Sequence, residues 1–425
     1  MTNKMRSKLL LFILSTIFVL ASCETLEFSN PNAPIVDDVT VQSLVSGVEA
    51  GMRLDWAIYL RVTGINGREV YYFEPADPRY TGEILFGTPD PGGFLTTRPW
   101  TARYRVIANC RFLQDKNAGA GVDGFAKTIQ AYQLLLNLNY MYDNGIKIDY
   151  SGDLTVAVAN RAQAYDAIHD LLDEAETDLK NAGAAFPFRL TSGFTGFDTP
   201  TQFLKFNRAI SARVSVYRGE YDHALEDLQA SFLNPSGSLN DGVYHVYGTG
   251  LGDQTNETFE NPEASFVKLM GHPTLATGAE ANDGRLAAKI KVRNPATTFD
   301  GLTSNLGVTI TASSTDRLPI IRNEELLLLR AEANIGLNNL AAAQADLNII
   351  RAAAGLPAVT LTAANAVDQL LYERRYSLFM EGHRWVDVRR YNRLSQLPID
   401  RATDKIITSM PIPETEVNEG GGGGR

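Results

Sequence analysis

Ala212-Arg-Val-Ser-Val-Tyr-Arg-Gly219-Glu-Tyr221-Asp-His-Ala224-Leu-Glu-Asp-Leu228 lies over Ala331-Glu-Ala-Asn-Ile-Gly-Leu-Asn338-Asn-Leu340-Ala-Ala-Ala343-Gln-Ala-Asp-Leu347 at an offset of 119 residues. In each copy one helical pattern runs into a turn residue, Gly219 or Asn338, and a second helical pattern carrying Ala follows. Gly and Asn tolerate the left-handed backbone that ends a helix, and small residues let two helices approach closely. Both copies therefore read as tetratricopeptide-like helical hairpins, units that bury their apolar faces by stacking on one another. Phe125–Tyr142 followed by Arg161–Lys180 reads as a third, degenerate hairpin with a long connection. The expected fold is mainly α, with stacked hairpins near 125–181, 201–233 and 322–353 and few short strands.

Working outward, apolar residues recur at three- and four-residue spacing over Val41–Tyr59, Pro99–Leu113, Thr201–Tyr217, Tyr221–Leu233, Arg322–Leu337, Leu340–Ala353 and Ala366–Met380. Between them, residues 63–98 and 234–316 are crowded with Gly, Pro, Asn, Asp and Thr, so any short strands there are expected as local hairpins. Long ordered loops are where binding residues concentrate.

The amino end sets the compartment. Lys4, Arg6 and Lys8 precede an apolar run from Leu9 to Leu20, too short to cross a bilayer and suited to a signal peptide. Leu20-Ala21-Ser22-Cys23 resembles a bacterial lipobox, which implies removal of residues 1–22 and acylation of Cys23. One acyl chain anchors marginally and two suffice. Residues 23–40 then read as a flexible tether, 41–418 as a single domain and 419–425 as a flexible Gly tail. With Cys23 acylated, Cys110 has no disulfide partner, and its helical spacing with Val106, Ile107 and Leu113 makes it a core residue.

Of the 425 residues, 44% are hydrophobic and 21% charged, a balance that supports a sizeable core and excludes a disordered chain. Beyond residue 22 the chain carries 36 basic and 49 acidic side chains, a net charge of −13 that argues against nucleic acid as a partner.

The C-terminal third narrows the reading. It contains Leu318-Pro-Ile-Ile-Arg-Asn-Glu-Glu-Leu-Leu-Leu-Leu-Arg330-Ala-Glu332-Ala-Asn, then Leu347-Asn-Ile-Ile-Arg351-Ala-Ala-Ala-Gly-Leu-Pro357. Tyr372-Glu-Arg-Arg-Tyr-Ser-Leu-Phe-Met-Glu-Gly-His-Arg-Trp-Val-Asp-Val-Arg-Arg390 and Pro411-Ile-Pro-x-x-Glu416-x-Asn418 complete the set. These motifs resemble the SusD/RagB family, whose framework residues would here be Arg330, Glu332, Arg351, Glu373, Arg374, Glu381, Arg384, Trp385 and Asp387. Trp100 also matches a framework position. The resemblance implies a SusD-like fold and an outer-membrane, surface-exposed lipoprotein that binds a nutrient over a SusC-like TonB-dependent transporter. Ser377 departs from the Glu usual in relatives, and the Gly tail replaces their Asn/Pro-rich end.

Glu373, Ser377 and Glu381 fall at i, i+4 and i+8. On one continuous helix the two carboxylates stand about 12 Å apart, too far for a glycosidase pair, so structural ion pairing is expected. The five histidines show no metal-ligand spacing, and no nucleophile elbow or phosphate loop occurs, so no catalytic residue, cofactor or metal is assigned. Asp149-Tyr-Ser-Gly-Asp153 and Asn282-Asp-Gly read as turns rather than calcium loops. For ligand binding the aromatic and polar groups around the first loop stand out: Trp56, Arg68, Tyr71, Tyr72, Tyr80, Phe94 and Arg98, with Tyr244 and Tyr247 in the second. Aromatic faces suit sugar C–H surfaces, and Arg suits hydroxyls. The sequence thus points to a non-catalytic receptor for an oligosaccharide. A peptide ligand, a surface glycoside hydrolase and a tetratricopeptide-type scaffold for another protein remain open.

Overall fold

Left-handed backbone at Gly219 (φ 77°) and Asn338 (φ 61°) turns two helices back on themselves, at the positions where the aligned sequences carry Gly and Asn. The computed structural model describes residues 39–148 and 156–418. The signal segment, Cys23, nearly all of the tether, the Asp149–Asp153 turn and the Gly tail lie outside the described residues. From Val41 onward the chain forms one unit.

Its helices are α1 (Val41–Arg53), α2 (Trp56–Asn66), α3 (Phe94–Asp115), α4 (Ala120–Met141), α5 (Arg161–Asn181), α6 (Pro200–Arg218) and α7 (Tyr221–Ala230). The C-terminal half adds α8 (Gly284–Lys289), α9 (Asn323–Gly336), α10 (Leu340–Ala353), α11 (Ala366–Ser377) and α12 (Arg384–Arg390). Three hairpins, α4/α5, α6/α7 and α9/α10, stack in succession, α5 on α6 and α7 on α9. Local chemistry fixes their starts. Asn160 and Gln163 form a reciprocal capping box before α5, and Thr199 with Pro200 opens α6. Gly124 lets α4 meet α5 closely, since a Cβ there would stand 2.6 Å from Leu179 Cγ. Leu327, Leu328 and Ala331 of α9 interdigitate with Ala343 and Leu347 of α10 and Leu370 of α11 in a sealed core.

The strands are β1 (Val70–Tyr72), β2 (Gly242–His245), β3 (Leu269–Gly271), β4 (Ile290–Phe299), β5 (Leu302–Val308) and β6 (Leu318–Arg322). Only β4 and β5 form the local hairpin expected of the loop-rich stretches. The antiparallel order β1-β3-β5-β4 joins Val70 to Gly271, and β2 pairs with β6 through Val243 and Ile321. The two loop-rich regions are therefore joined by a sheet. The reason lies in β1, whose three residues are all buried and must satisfy their backbone groups against a distant strand.

Two expected helices are interrupted. The pattern over Val41–Tyr59 breaks at Asp55, which takes left-handed backbone (φ 54°). Arg103 collects the carbonyls freed there, donating to Met52 (2.9 Å) and Leu54. The break starts a new helix at Trp56. At the other end α11 stops at Ser377, and left-handed Met380 (φ 60°) and Gly382 (φ 85°) swing Glu381 away. Glu373 and Glu381 thus do not share a continuous helix, and the spacing expected from one does not apply.

Candidate binding cavities around Trp56

The break before α2 and the β2–β6 pairing together bring Trp56 to the boundary of two cavities. The first, about 300 Å³, is walled by Trp56 and Leu60 of α2, Tyr244 of β2, Leu318 and Pro319 of β6, and Phe379 and Met380 of the turn after α11. Its polar groups are Lys289, Arg317, Arg322, Glu324, Glu381 and Asn240. The second, about 270 Å³, is lined by Trp56, Tyr247, Arg53, Arg98, Asp253 and Gln254 among others. No residue of α4 to α7 lines either cavity. Pockets of about 300 Å³ are at the small end of ligand sites.

Most charges in these walls are already bonded. Arg322 donates to Glu381 (2.8 Å) and to the Ser377 carbonyl (2.7 Å), and it also pairs with Glu324. Lys289 Nζ donates to the carbonyls of Tyr376 (2.8 Å) and Ser377 (2.6 Å), occupying the negative end of α11. Burial lowers the Lys289 ammonium to about 8 although Glu381 and Glu324 hold it up. Burial also raises the Glu381 carboxyl, with Arg322 opposing. At Glu324 burial pushes upward too, but Arg322 and Lys289 outweigh it and its pKa is lowered. In the second cavity Arg53 pairs with Asp253 (2.6 Å) and Arg98 with Asp55.

Trp56 itself stacks on Tyr59 with ring centroids 5.0 Å apart and an interplanar angle of 8°, and His245 tilts against it at 5.0 Å. Its indole Nε1 has no hydrogen-bond partner among the described residues. At the mouth of the first cavity the Arg317 guanidinium lies 3.9 Å from the centroid of the Tyr244 ring.

Of the seven residues expected to touch ligand, the structure brings Trp56 and Arg98 to a cavity. The first loop instead folds its aromatics inward. Tyr71 packs on Phe73 and His272, while Tyr72, Tyr80 and Phe94 form an edge-to-face series at 4.8 and 6.0 Å. Arg61 and Arg79 cap that series at 4.2 and 4.3 Å. Tyr71, Tyr72 and Tyr80 are buried, as Trp56 is, but unlike Trp56 they line neither cavity. Arg68 is also inside, donating to the carbonyls of Ile65 (2.9 Å), Pro398 (3.1 Å) and Lys405 (3.1 Å), where it clamps the C-terminal segment. The cause is the β1–β3 pairing, which turns a loop of aromatics into a wall of the core.

Sequence reasoning did not reach Lys289, Arg317, Glu324, Phe379 or Met380. They are scattered over some 90 positions and meet only through β6 and the turn after α11. Tyr244 and Tyr247 carried a signal, two aromatics in a loop-rich stretch, and each lines one cavity.

Glu381 apart, the framework charges of the C-terminal third line neither cavity. Fully buried Glu373 accepts from Arg285 (2.6 Å), Arg351 (2.7 Å) and Gln369 (2.7 Å). Arg374 pairs with Asp387 (2.7 Å), Arg390 with Glu332 (2.6 Å) and Arg330 with Asp346. Arg384 stands near Glu69 and Arg375, and burial lowers its pKa. Trp385 is buried with its Nε1 donating to the Ile407 carbonyl (3.2 Å), and Trp100 Nε1 donates to Glu416 (3.0 Å). Asp283 caps α8 and binds Arg285 and Tyr372, so that turn is occupied by protein donors. Among the described residues no group of three or more His, Cys, Asp or Glu is placed to hold a metal ion, and no helix is long and apolar enough to cross a membrane.

Residues 302–420 match the model of the SusD family. No curated protein matches the chain. Among solved structures, a SusD superfamily protein from Bacteroides thetaiotaomicron is similar at 16% identity and a TM-score of 0.67, over 91% of this chain and 98% of that one. A laminarin-binding SusD-like protein is similar at 17% identity and 0.64, over 89% and 97%. Surface glycan-binding protein A from Bacteroides thetaiotaomicron is similar at 15% identity and 0.64, over 89% and 96%. At these identities the likeness is one of fold.

Proposed function

We propose that this chain, which belongs to the SusD/RagB family, is a non-catalytic receptor that captures an oligosaccharide at the cell surface and passes it to a SusC-like TonB-dependent transporter. The observation that carries this reading is the pair of cavities meeting at Trp56, walled by aromatic rings and lined by polar groups on elements away from the α4 to α7 stack. Aromatic faces bind sugar C–H surfaces, and preorganised polar groups fix the hydroxyls at little entropic cost. The names of the laminarin-binding and glycan-binding relatives support a glycan as cargo. The lipobox-like Leu20–Cys23 supports an acyl anchor in the outer membrane.

Arginine engages Glu381 and Glu324 in the first cavity and Glu373 outside it, which supports binding rather than glycoside hydrolysis there. The test is a thermal-shift screen of the full chain in mild detergent against oligosaccharides and peptides, with recovery of partners from gently solubilised membranes. A ligand that binds only the folded state raises Tm by mass action. Stabilisation by an intact glycan and co-purification of a large barrel are expected. Hydrolysis of that glycan, lost in Glu381→Gln, would replace the receptor with an enzyme.

A further inference from the structure

Five cations line the two cavities: Arg53, Arg98, Lys289, Arg317 and Arg322. Four are committed, Arg53 to Asp253, Arg98 to Asp55, Lys289 to two carbonyls and Arg322 to two carboxylates. Arg317 differs. Among the described residues it makes no hydrogen bond and no ion pair, and its side chain is exposed at the mouth of the first cavity. Its neighbour Asp316 is spent on its own turn, accepting from Ser313 Oγ (2.7 Å) and from the backbone of Ala312 (2.6 Å). Stacking 3.9 Å from the Tyr244 centroid restrains the guanidinium without using its N–H donors. The Tyr244 hydroxyl donates to the Asn240 carbonyl, so the ring beneath is itself held.

We propose that the first cavity selects an anionic sugar, with a uronate carboxylate or a sulfate ester on the ligand seated against Arg317. A guanidinium fork matches either group, and the charged hydrogen bonds so formed are stronger than those to hydroxyls. The surface as a whole would repel such a ligand, because the chain beyond residue 22 carries a net charge of −13. A stacked, unpaired arginine at a cavity mouth is therefore the group that turns this acidic protein toward an acidic cargo. This inference rests on the glycan-receptor reading and goes beyond it by naming the substrate class.

The test compares matched probes on the full chain by calorimetry. Oligogalacturonate is set against its carboxyl-reduced form, and a sulfated galactan oligosaccharide against its desulfated form. Arg317→Gln and Arg317→Lys are run beside the unaltered protein, with an acidic peptide as a further probe. One of the two anionic glycans is expected to bind at least tenfold more tightly than its neutral counterpart, with an affinity that falls as salt rises. Arg317→Gln should abolish that preference and the salt dependence, costing the anionic glycan at least tenfold more affinity than its neutral counterpart, and Arg317→Lys should restore part of both. Neutral glycans binding as tightly as anionic ones, with no effect of Arg317→Gln, would overturn the inference and leave the glycan receptor standing. Binding of the acidic peptide alone, or of none of the glycans, would overturn both.

Discussion

Arginines in the frame around α9, α11 and α12 and the arginine at the cavity mouth are the same side chain in opposite circumstances. Arg213 is buried against Glu325 (2.6 Å), Arg374 against Asp387 (2.7 Å), Arg351 against Glu373 (2.7 Å) and Arg390 against Glu332 (2.6 Å). Arg317 is exposed, stacked on one tyrosine and unpaired among the described residues. The frame spends its charges on itself and gains a fixed geometry between helices. The mouth leaves its charge for something outside the chain. Residue type therefore does not distinguish support from binding, whereas burial and the presence of a partner do.

That contrast breaks most visibly at the Arg213–Glu325 pair. Glu325 is fully buried, and its carboxyl is held low because Arg213 and His383 outweigh the upward push of burial. Glu325→Ala would leave the Arg213 guanidinium charged and unpaired inside, a change that costs about 3–5 kcal/mol. Urea denaturation should show that loss, whereas Arg317→Ala at the surface should stay within about 0.5 kcal/mol. Replacing both partners, Arg213→Met with Glu325→Leu, should recover most of the stability. If Arg317→Ala proved the more damaging, the division between frame and mouth would be wrong.

A second test sits behind the first cavity. Glu69 is buried with neither carboxylate oxygen bonded at normal geometry among the described residues, and burial raises its pKa to about 8, with Arg384 and Arg375 opposing. The ordinary value is 4.5, so the folded protein holds this proton more tightly than the unfolded chain does. Its contribution to stability is complete below pH 4.5 and drains away as pH climbs through 8. His383 works on the other limb. Burial lowers it to about 4 from 6.5, so its contribution is present above 6.5 and lost as pH falls toward 4. Glu69→Gln mimics the protonated form. Melting curves should show the variant and the unaltered protein alike at pH 5 and the variant more stable at pH 8. A parallel pH dependence in both would show that Glu69 is not the group responsible.

How much of this was legible in the sequence follows the same division. The hairpins were readable because each is local: Gly219, Asn338 and the Ala-rich second helices sit within a few turns of the contacts they make. The break at Asp55 was not readable, because the feature that secures it, Arg103, lies on α3. The cavities were largely invisible for a related reason. Tyr244, Arg317 and Met380 become neighbours only after β2 finds β6, a pairing across more than 70 residues that no short-range periodicity encodes. The aromatic cluster of residues 71–80 misled in the opposite sense. Its composition suits a binding face, but β1 pairs with β3 and draws the rings into the core.

The smallest expected effect is at the α9/α10 turn, and set beside a residue of the cavity wall it sharpens the comparison between regions at the level of backbone. Asn338 (φ 61°) closes the α9/α10 hairpin in left-handed conformation, and Met380 (φ 60°) adopts the same conformation beside the first cavity. At the turn the sequence supplies a residue that tolerates this geometry. At the cavity wall it supplies one that does not, and buried packing holds the methionine there. Asn338→Ala should cost about 1 kcal/mol through backbone strain alone, since the side chain leaves no cavity behind, and Asn338→Gly should be nearly neutral. Met380→Gly relieves the same strain but deletes a buried side chain from the wall, a loss of about 2–5 kcal/mol by analogy with other core truncations. Denaturation of the three variants separates the terms. A turn whose glycine variant is neutral and a wall whose glycine variant is not would show that left-handed backbone is accommodated by residue choice in the scaffold and by packing at the site.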